Sequence, residues 1–167
     1  MPSKFMTSKI VVNIDHQIFN YSDFYLFLKK ILQERGYYIE EKTYTHNTLN
    51  SKESIDFYWH SIKRVDDFTK FIIEIIAKLE IEDVNILKDK KKEVTNRGSG
   101  SIKVRSTLMT DYAGKWEESN PIITFVKVLF ENIFQKGSVD EYSKKLTDEA
   151  YEVENEIKSF FNLQKMM

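Results

Sequence analysis

The chain has 167 residues, and its content of 41% hydrophobic and 31% charged residues indicates one globular domain, 1–167, rather than a disordered chain. It contains no cysteine, which excludes disulfides, zinc–thiolate sites, iron–sulfur clusters and cysteine nucleophiles. The net charge of −1 argues against a protein whose whole surface binds polyanions.

The N-terminal part of the chain predicts a strand, a helix and two more strands. Apolar and polar residues alternate in KIVVNIDHQI, which is the period of a strand. A helical period follows in YSDFYLFLKKILQERG, with Ser22 as the expected N-cap and Gly36 as the expected residue after the helix. Two strands are then predicted in the aromatic-rich YYIEEKTYTH and SIDFYWHSIKRV, separated by the turn-like NTLNSKE.

The middle of the chain predicts further strands. The VDD at 65–67 favours a charged hairpin turn, because consecutive carboxylates on a strand point to opposite faces and do not share a proton. Residues 68–79 alternate clearly, although Ile72 and Ile76 fall on the polar face, which indicates that this face is only partly exposed. Residues 84–109 predict one or two strands, with NRGSG as a hairpin turn.

Two helices are expected at the end of the chain, at 121–134 and at 139–161, the second starting at a capping box of Ser138 and Glu141. The complete order, β-α-β-β-β-β-β-α-α, predicts an α+β fold. We expect a mainly antiparallel sheet of five to six strands, with one helix after the first strand and two C-terminal helices packed on one face. The same order is found in helix-grip folds, where the sheet curls around the last helix and encloses an apolar cavity.

Three segments carry a resemblance: RVDDFTKFIIEI, DYAGKWEESNPIITFVKVLFENIF and the helix end EIKSFFNL. Together they resemble a group of small uncharacterised archaeal proteins. The resemblance implies an archaeal cytoplasm. It carries over no activity and no catalytic residue.

The residues that support catalysis or metal binding do not converge in the sequence. His16 falls on the apolar face of the first strand, where a hydrogen-bonded core residue is expected. His46 and His60 lie near the ends of strands, and Asp56 is separated from His60 by about 13 Å along its strand, too far for both to bind one metal ion easily. Phosphate-loop and hydrolase motifs are missing. We therefore expect no catalytic residue, no metal and no cofactor. A non-enzymatic protein is favoured over an enzyme.

The aromatic residues of the second and third strands exceed what one buried face requires. Neighbouring aromatic residues point to both faces of a sheet, so some belong either to the core or to an interface, where Tyr and Trp are favoured. Both interpretations fit the pattern equally. The first hypothesis is a binding domain that acts by protein–protein contact or self-association, through Tyr37, Tyr38, Tyr44, Phe57, Tyr58, Trp59, Ile72 and Ile76.

Two alternatives remain. A helix-grip carrier of a small hydrophobic ligand would use Trp59 and Trp116 as lining residues. A nucleic-acid contact would use the segment 88–105, which holds seven basic residues against two acidic ones: Lys88, Lys90, Lys91, Lys92, Arg97, Lys103 and Arg105. The second alternative is not favoured, because the segment lacks aromatic residues for base stacking and lysines also protect strand edges from aggregation.

Apolar runs are short throughout the chain. None approaches the roughly 20 residues that cross a bilayer, and the N-terminus has no apolar core of signal-peptide length. We therefore expect a soluble, cytoplasmic protein without a membrane partner.

Overall fold

Five antiparallel strands and two helices make up residues 2–110 and 135–166, the part of the chain that the computed structural model describes. The elements are β1 (Ser3–Phe19), α1 (Tyr21–Glu34), β2 (Tyr38–Leu49), β3 (Lys52–Arg64), β4 (Thr69–Lys88), β5 (Lys91–Thr110) and α2 (Gln135–Met166). The strand order is β1-β5-β4-β3-β2, and every neighbouring pair is antiparallel. The α+β class and the helix after the first strand are thereby confirmed. The helix predicted at 121–134 lies outside the described residues.

The two faces of the sheet differ because side chains alternate along each strand. The inner face carries the core, including Phe57 and Trp59 of β3 and Phe71, Ile73 and Ile75 of β4. Helix α1 adds Phe24, Leu28, Ile31 and Leu32 to this core, and α2 adds Leu146, Ala150, Val153, Ile157 and Phe161. Burying each large apolar side chain contributes roughly 1.5–3 kcal/mol, so this layer fixes both helices on the inner face.

The segment NRGSG does not form the predicted turn but lies inside β5. The reversal occurs at Asp89 and Lys90, which both have positive φ (49° and 64°), as required by a two-residue hairpin turn whose twist matches the strands. Strand β4 therefore continues to Lys88, and residues 84–109 supply one further strand, β5, and not two. Glycine is needed at position 100 because a Cβ there would lie 2.1 Å from the carbonyl oxygen of Lys78 on β4.

The ends of the helices differ from prediction in two places. Asn20, not Ser22, caps α1: its Oδ1 accepts the backbone N–H of Asp23 at 3.0 Å. Gly36 (φ +83°) follows the helix as predicted. Helix α2 already begins at Gln135, so the predicted capping box of Ser138 and Glu141 lies within the helix.

His16 is exposed rather than buried, so its prediction as a core residue is wrong. A bulge interrupts the pairing of β1 with β5 between Ile14 and Gln17, and His16 lies in it with φ +48°. The extra residue of the bulge turns the side chain of His16 away from the inner face. In this exposed position its Nδ1 lies 2.5 Å from the Oδ1 of Asp15.

The turn between β3 and β4 is held by Asp66, which agrees with the hairpin predicted at VDD. Its Oδ1 accepts the backbone N–H groups of Phe68 (2.8 Å) and Thr69 (2.7 Å), and its Oδ2 accepts the hydroxyl of Tyr142 on α2 (3.0 Å). Burial opposes ionisation, but these hydrogen bonds outweigh it and lower the pKa of Asp66. The carboxylate therefore ties the turn to the terminal helix.

We expect Asp66→Ala to lower the free energy of unfolding by about 1–2 kcal/mol, measured by urea denaturation at neutral pH. Asp66→Asn is the matched control, because it keeps an acceptor for both amides but does not titrate. A depressed folded-state pKa stabilises the fold above the unfolded value of about 4, and this contribution disappears as the pH falls through the folded pKa. The difference between wild type and Asp66→Asn should therefore shrink on acidification; a constant difference would contradict the role of the charge.

Candidate functional site

The residues predicted to form an interface divide between the two faces of the sheet. Tyr37, Phe57 and Trp59 belong to the core, and Trp59 is only 1% exposed. Tyr44 pairs with Phe57 and also lies on the inner face, at its rim. The other four residues occupy the outer face, away from both described helices: Tyr38, Tyr58, Ile72 and Ile76.

The inner-face aromatic residues pack around Tyr25 of α1. Its ring meets Trp59 edge-on at 4.9 Å and Phe57 at 5.6 Å between centroids. Glu41 of β2 accepts the hydroxyl of Tyr25 and the indole N–H of Trp59, the latter at 2.9 Å. Phe57 and Trp59 are therefore fully packed inside the fold and offer no exposed surface to a partner. Trp116, the other expected ligand-lining residue, lies outside the described residues.

Tyr37 is also engaged inside the molecule. Its hydroxyl donates to Glu149 of α2 at 2.8 Å, and Lys63 donates to the other oxygen of that carboxylate at 2.8 Å. Burial, and then the charge of Glu149, raises the pKa of Tyr37. Glu149 therefore joins α2 to Tyr37, just before β2, and to Lys63 of β3, and Tyr37 does not belong to a free surface.

The outer face consists of three cross-strand rows, which follow from the strand register. The first row is apolar and reads Tyr38, Ile62, Ile72, Thr107 and Met6. The second row is ionic and reads Glu40, His60, Glu74, Arg105 and Lys9. The third row is mixed and reads Thr43, Tyr58, Ile76, Lys103 and Val11.

The ionic row is centred on Glu74, which is only 8% exposed. Arg105 donates to its Oε2 at 2.6 Å, Tyr58 donates to its Oε1, and the Nδ1 of His60 lies 3.7 Å from Oε1. Burial opposes ionisation of Glu74, but the bonds from Arg105 and Tyr58 outweigh it and lower its pKa. Burial, and then the bond to Glu74, raises the pKa of Tyr58 to about 12. A carboxylate held ionised in this way is poorly matched to proton transfer near neutral pH, so its role is structural.

Large apolar side chains are exposed to solvent at both edges of the outer face. Tyr38 on β2 is 70% exposed, and Met6 and Val11 on β1 are 62% and 44% exposed. Sequence reasoning missed the two β1 residues, although the adjacent valines in KIVV placed an apolar side chain on each face. The centre of the face is already buried, since Ile72 is only 5% exposed. The exposed apolar side chains at its two edges are therefore the part that a partner would cover.

The basic segment 88–105 is divided by the fold. Lys88, Lys90, Lys91 and Lys92 surround the β4–β5 turn, Arg97 pairs with Glu82 of β4, and Lys103 and Arg105 belong to the outer face. The fifteen residues from Lys91 to Arg105 extend over about 46 Å, and Arg105 is bound to Glu74. The seven basic residues therefore do not form one compact patch.

Comparisons with known proteins add little to this geometry. No helix among the described residues is long and apolar enough to cross a membrane. The resemblance to archaeal proteins stays a prediction, because no protein-family model matches the chain and no curated protein is significantly similar to it.

Proposed function

We propose that this protein is a non-enzymatic interaction domain whose outer sheet face binds the same face of a second copy. The observation that supports this most directly is the exposure of Tyr38, Met6 and Val11 at the ends of the two rows that flank the ionic row, on a face that α1 and α2 do not cover. Because the chain has no cysteine and so fits a reducing compartment, we place this assembly in the cytoplasm as part of the proposal.

The register determines how two copies would match. Stacked sheets align their strands within about 30°, and a two-fold axis along the central strand β4 would place β1 of one copy over β2 of the other. Tyr38 would then contact Met6 of the second copy. Glu40 would face Lys9 of the second copy, which adds charge complementarity in the ionic row.

Light scattering at micromolar concentrations tests the proposal. We expect a dimer, and we expect Tyr38→Glu to weaken it by at least about tenfold, because a charge would be buried against Met6. Tyr151→Glu is the matched control, since Tyr151 is an exposed tyrosine on α2. A wild-type chain that stays monomeric would overturn the proposal.

A charge exchange tests the arrangement of the two copies. Lys9→Glu and Glu40→Lys should each weaken the dimer, and the double variant should restore it. Lys9 and Glu40 lie on opposite edge strands, about 19 Å apart across the sheet, which is beyond the screening length of about 8–10 Å. Rescue must therefore arise between copies.

A carrier of a small hydrophobic ligand is the second candidate function, and the strand order supports it. The order β1-β5-β4-β3-β2, with α1 after the first strand and α2 packed on β1 and β5, is the order of helix-grip folds. Native mass spectrometry distinguishes the two candidates: a co-purified hydrophobic compound would favour the carrier, and an unliganded dimer would favour the interaction domain.

A further inference from the structure

The β4–β5 hairpin extends as a two-stranded arm, defined here as residues 83–96. Counted towards the turn, the pairing of β4 with β3 ends at Glu82, and the pairing of β5 with β1 ends at Asn96. Five further pairs, from Val84 with Thr95 to Lys88 with Lys91, join only β4 and β5 among the described residues. The arm is therefore about 20 Å long.

The base of the arm is fixed to the body of the protein. The Oδ1 of Asn96 accepts the backbone N–H of Tyr21 at 2.9 Å, at the start of α1. The Nδ2 of Asn96 donates to Asp83 on the opposite strand of the arm, also at 2.9 Å. These bonds join the base of the arm to the start of α1, and Leu87 and Val94 lie along an open cleft between the arm and that part of the body.

The tip of the arm combines two exposed aliphatic side chains with four lysines and two acidic residues, Asp89 and Glu93, so its formal charge is +4 − 2 = +2. Leu87 is 76% exposed and Val94 is 64% exposed. Leu87 pairs with Lys92, and Val94 lies two residues beyond Lys92, so the two aliphatic side chains share one face of the ribbon. The four lysines around the turn are all exposed: Lys88, Lys90, Lys91 and Lys92.

This combination fits the surface of an anionic bilayer better than a nucleic acid. Aliphatic side chains favour the boundary between headgroups and acyl chains, and neighbouring lysines are attracted to anionic headgroups. Single-stranded nucleic acid is bound chiefly by stacking on aromatic residues together with basic side chains, and the tip residues 87–94 contain neither an aromatic residue nor arginine. This proposal departs from the expectation of no membrane partner, which rests on the lack of spanning segments, because a surface contact does not need such a segment.

We propose that the arm tip docks on anionic lipid membranes, with Leu87 and Val94 inserted among the headgroups and the four lysines contacting lipid phosphates. The contact is independent of the outer sheet face, because the arm lies beyond the paired region of the sheet. Each protein copy contributes one such tip.

Vesicle flotation with the full chain tests this proposal. We expect binding to vesicles that contain phosphatidylglycerol and not to pure phosphatidylcholine, and a loss of at least about tenfold when salt is raised from about 0.05 M to about 0.5 M. The combined Lys90→Glu, Lys91→Glu and Lys92→Glu variant should lose binding, and so should Leu87→Ser with Val94→Ser. Leu49→Ser is the matched control, because Leu49 is 75% exposed beside the other hairpin turn.

Three results would overturn the proposal. The first is a wild-type chain that does not float with anionic vesicles. The second is undiminished binding by the Leu87→Ser, Val94→Ser variant, which would leave the aliphatic side chains without a role. The third is salt-sensitive binding of single-stranded RNA, measured by fluorescence anisotropy, without vesicle binding; this would assign the lysines to nucleic acid. Circular dichroism and the melting temperature verify that each surface variant is folded.

Discussion

Replacing Gly100 with alanine is expected to lower the free energy of unfolding by about 3 kcal/mol. Gly100 has φ +153°, and an added Cβ would lie 2.1 Å from the carbonyl oxygen of Lys78 and 2.9 Å from the Cα of Leu79. Both are backbone atoms of β4, which is paired on either side, so the contact cannot be relieved by rotating a side chain. The two central strands would have to separate locally.

Gly36→Ala is the matched control for this variant. Gly36 also has positive φ (+83°), but a Cβ there would meet no atom within 4 Å. Only the backbone cost of the left-handed conformation remains, about 1 kcal/mol. Urea denaturation followed by circular dichroism measures both variants, and equal losses would show that backbone conformation, not the close approach of β4, determines the requirement at position 100.

Gly100 also illustrates why part of the fold was predictable and part was not. The alternation of apolar residues predicted each strand, since it reflects burial of one face and depends only on near neighbours. A glycine-containing segment has two interpretations, a turn or a close approach of another strand. The sequence favours a turn for NRGSG, but the partner that requires its glycine, Lys78, is 22 residues away in the sequence and is identified only by the register.

Bulges explain why the candidate site was only partly predicted. Tyr38 and Tyr44 are an even number of residues apart, so uninterrupted alternation would place them on the same face. The register of β2 shifts between Glu41 and Thr43, which moves Tyr44 to the inner face while Tyr38 stays on the outer face. No local pattern marks this shift. The sequence therefore predicted the presence of surplus aromatic residues without predicting which of them the core would use.

Removing the guanidinium from the ionic row should have the other large effect on stability. We expect Arg105→Ala to lower the free energy of unfolding by about 2–3 kcal/mol at neutral pH, because Glu74 would stay buried and ionised without its strongest partner. This is less than for a fully buried pair, since the side chain of Arg105 is 33% exposed. Replacing both residues with leucine should restore most of the loss, because neither charge then remains to be desolvated.

The pH dependence of the stability difference between the wild type and Arg105→Ala distinguishes an unpaired charge on Glu74 from a simple loss of packing. In the wild type the pKa of Glu74 is lowered, so its contribution is present above the unfolded value of about 4.3 and is lost as the pH falls through the folded pKa. In Arg105→Ala the bond from Arg105 that lowers the pKa of Glu74 is absent, so Glu74 protonates at a higher pH than in the wild type, and protonation then relieves the charge that has lost its partner. The stability difference between the two proteins should therefore narrow below about pH 4, and a difference that stays constant from neutral to acidic pH would contradict the electrostatic explanation.

The leucine pair also connects the stability of the sheet with the proposed dimer. The bond between Glu74 and Arg105 lies within one copy, so Glu74→Leu with Arg105→Leu leaves Lys9 and Glu40 in place at the edges of the outer face. If apolar contact drives association and the edge charges set its orientation, this variant should dimerise at least as tightly as the wild type and should still respond to the exchange of Lys9 and Glu40. A monomeric leucine variant with a normal unfolding transition would instead assign the central ion pair, rather than the apolar rows, to the interface.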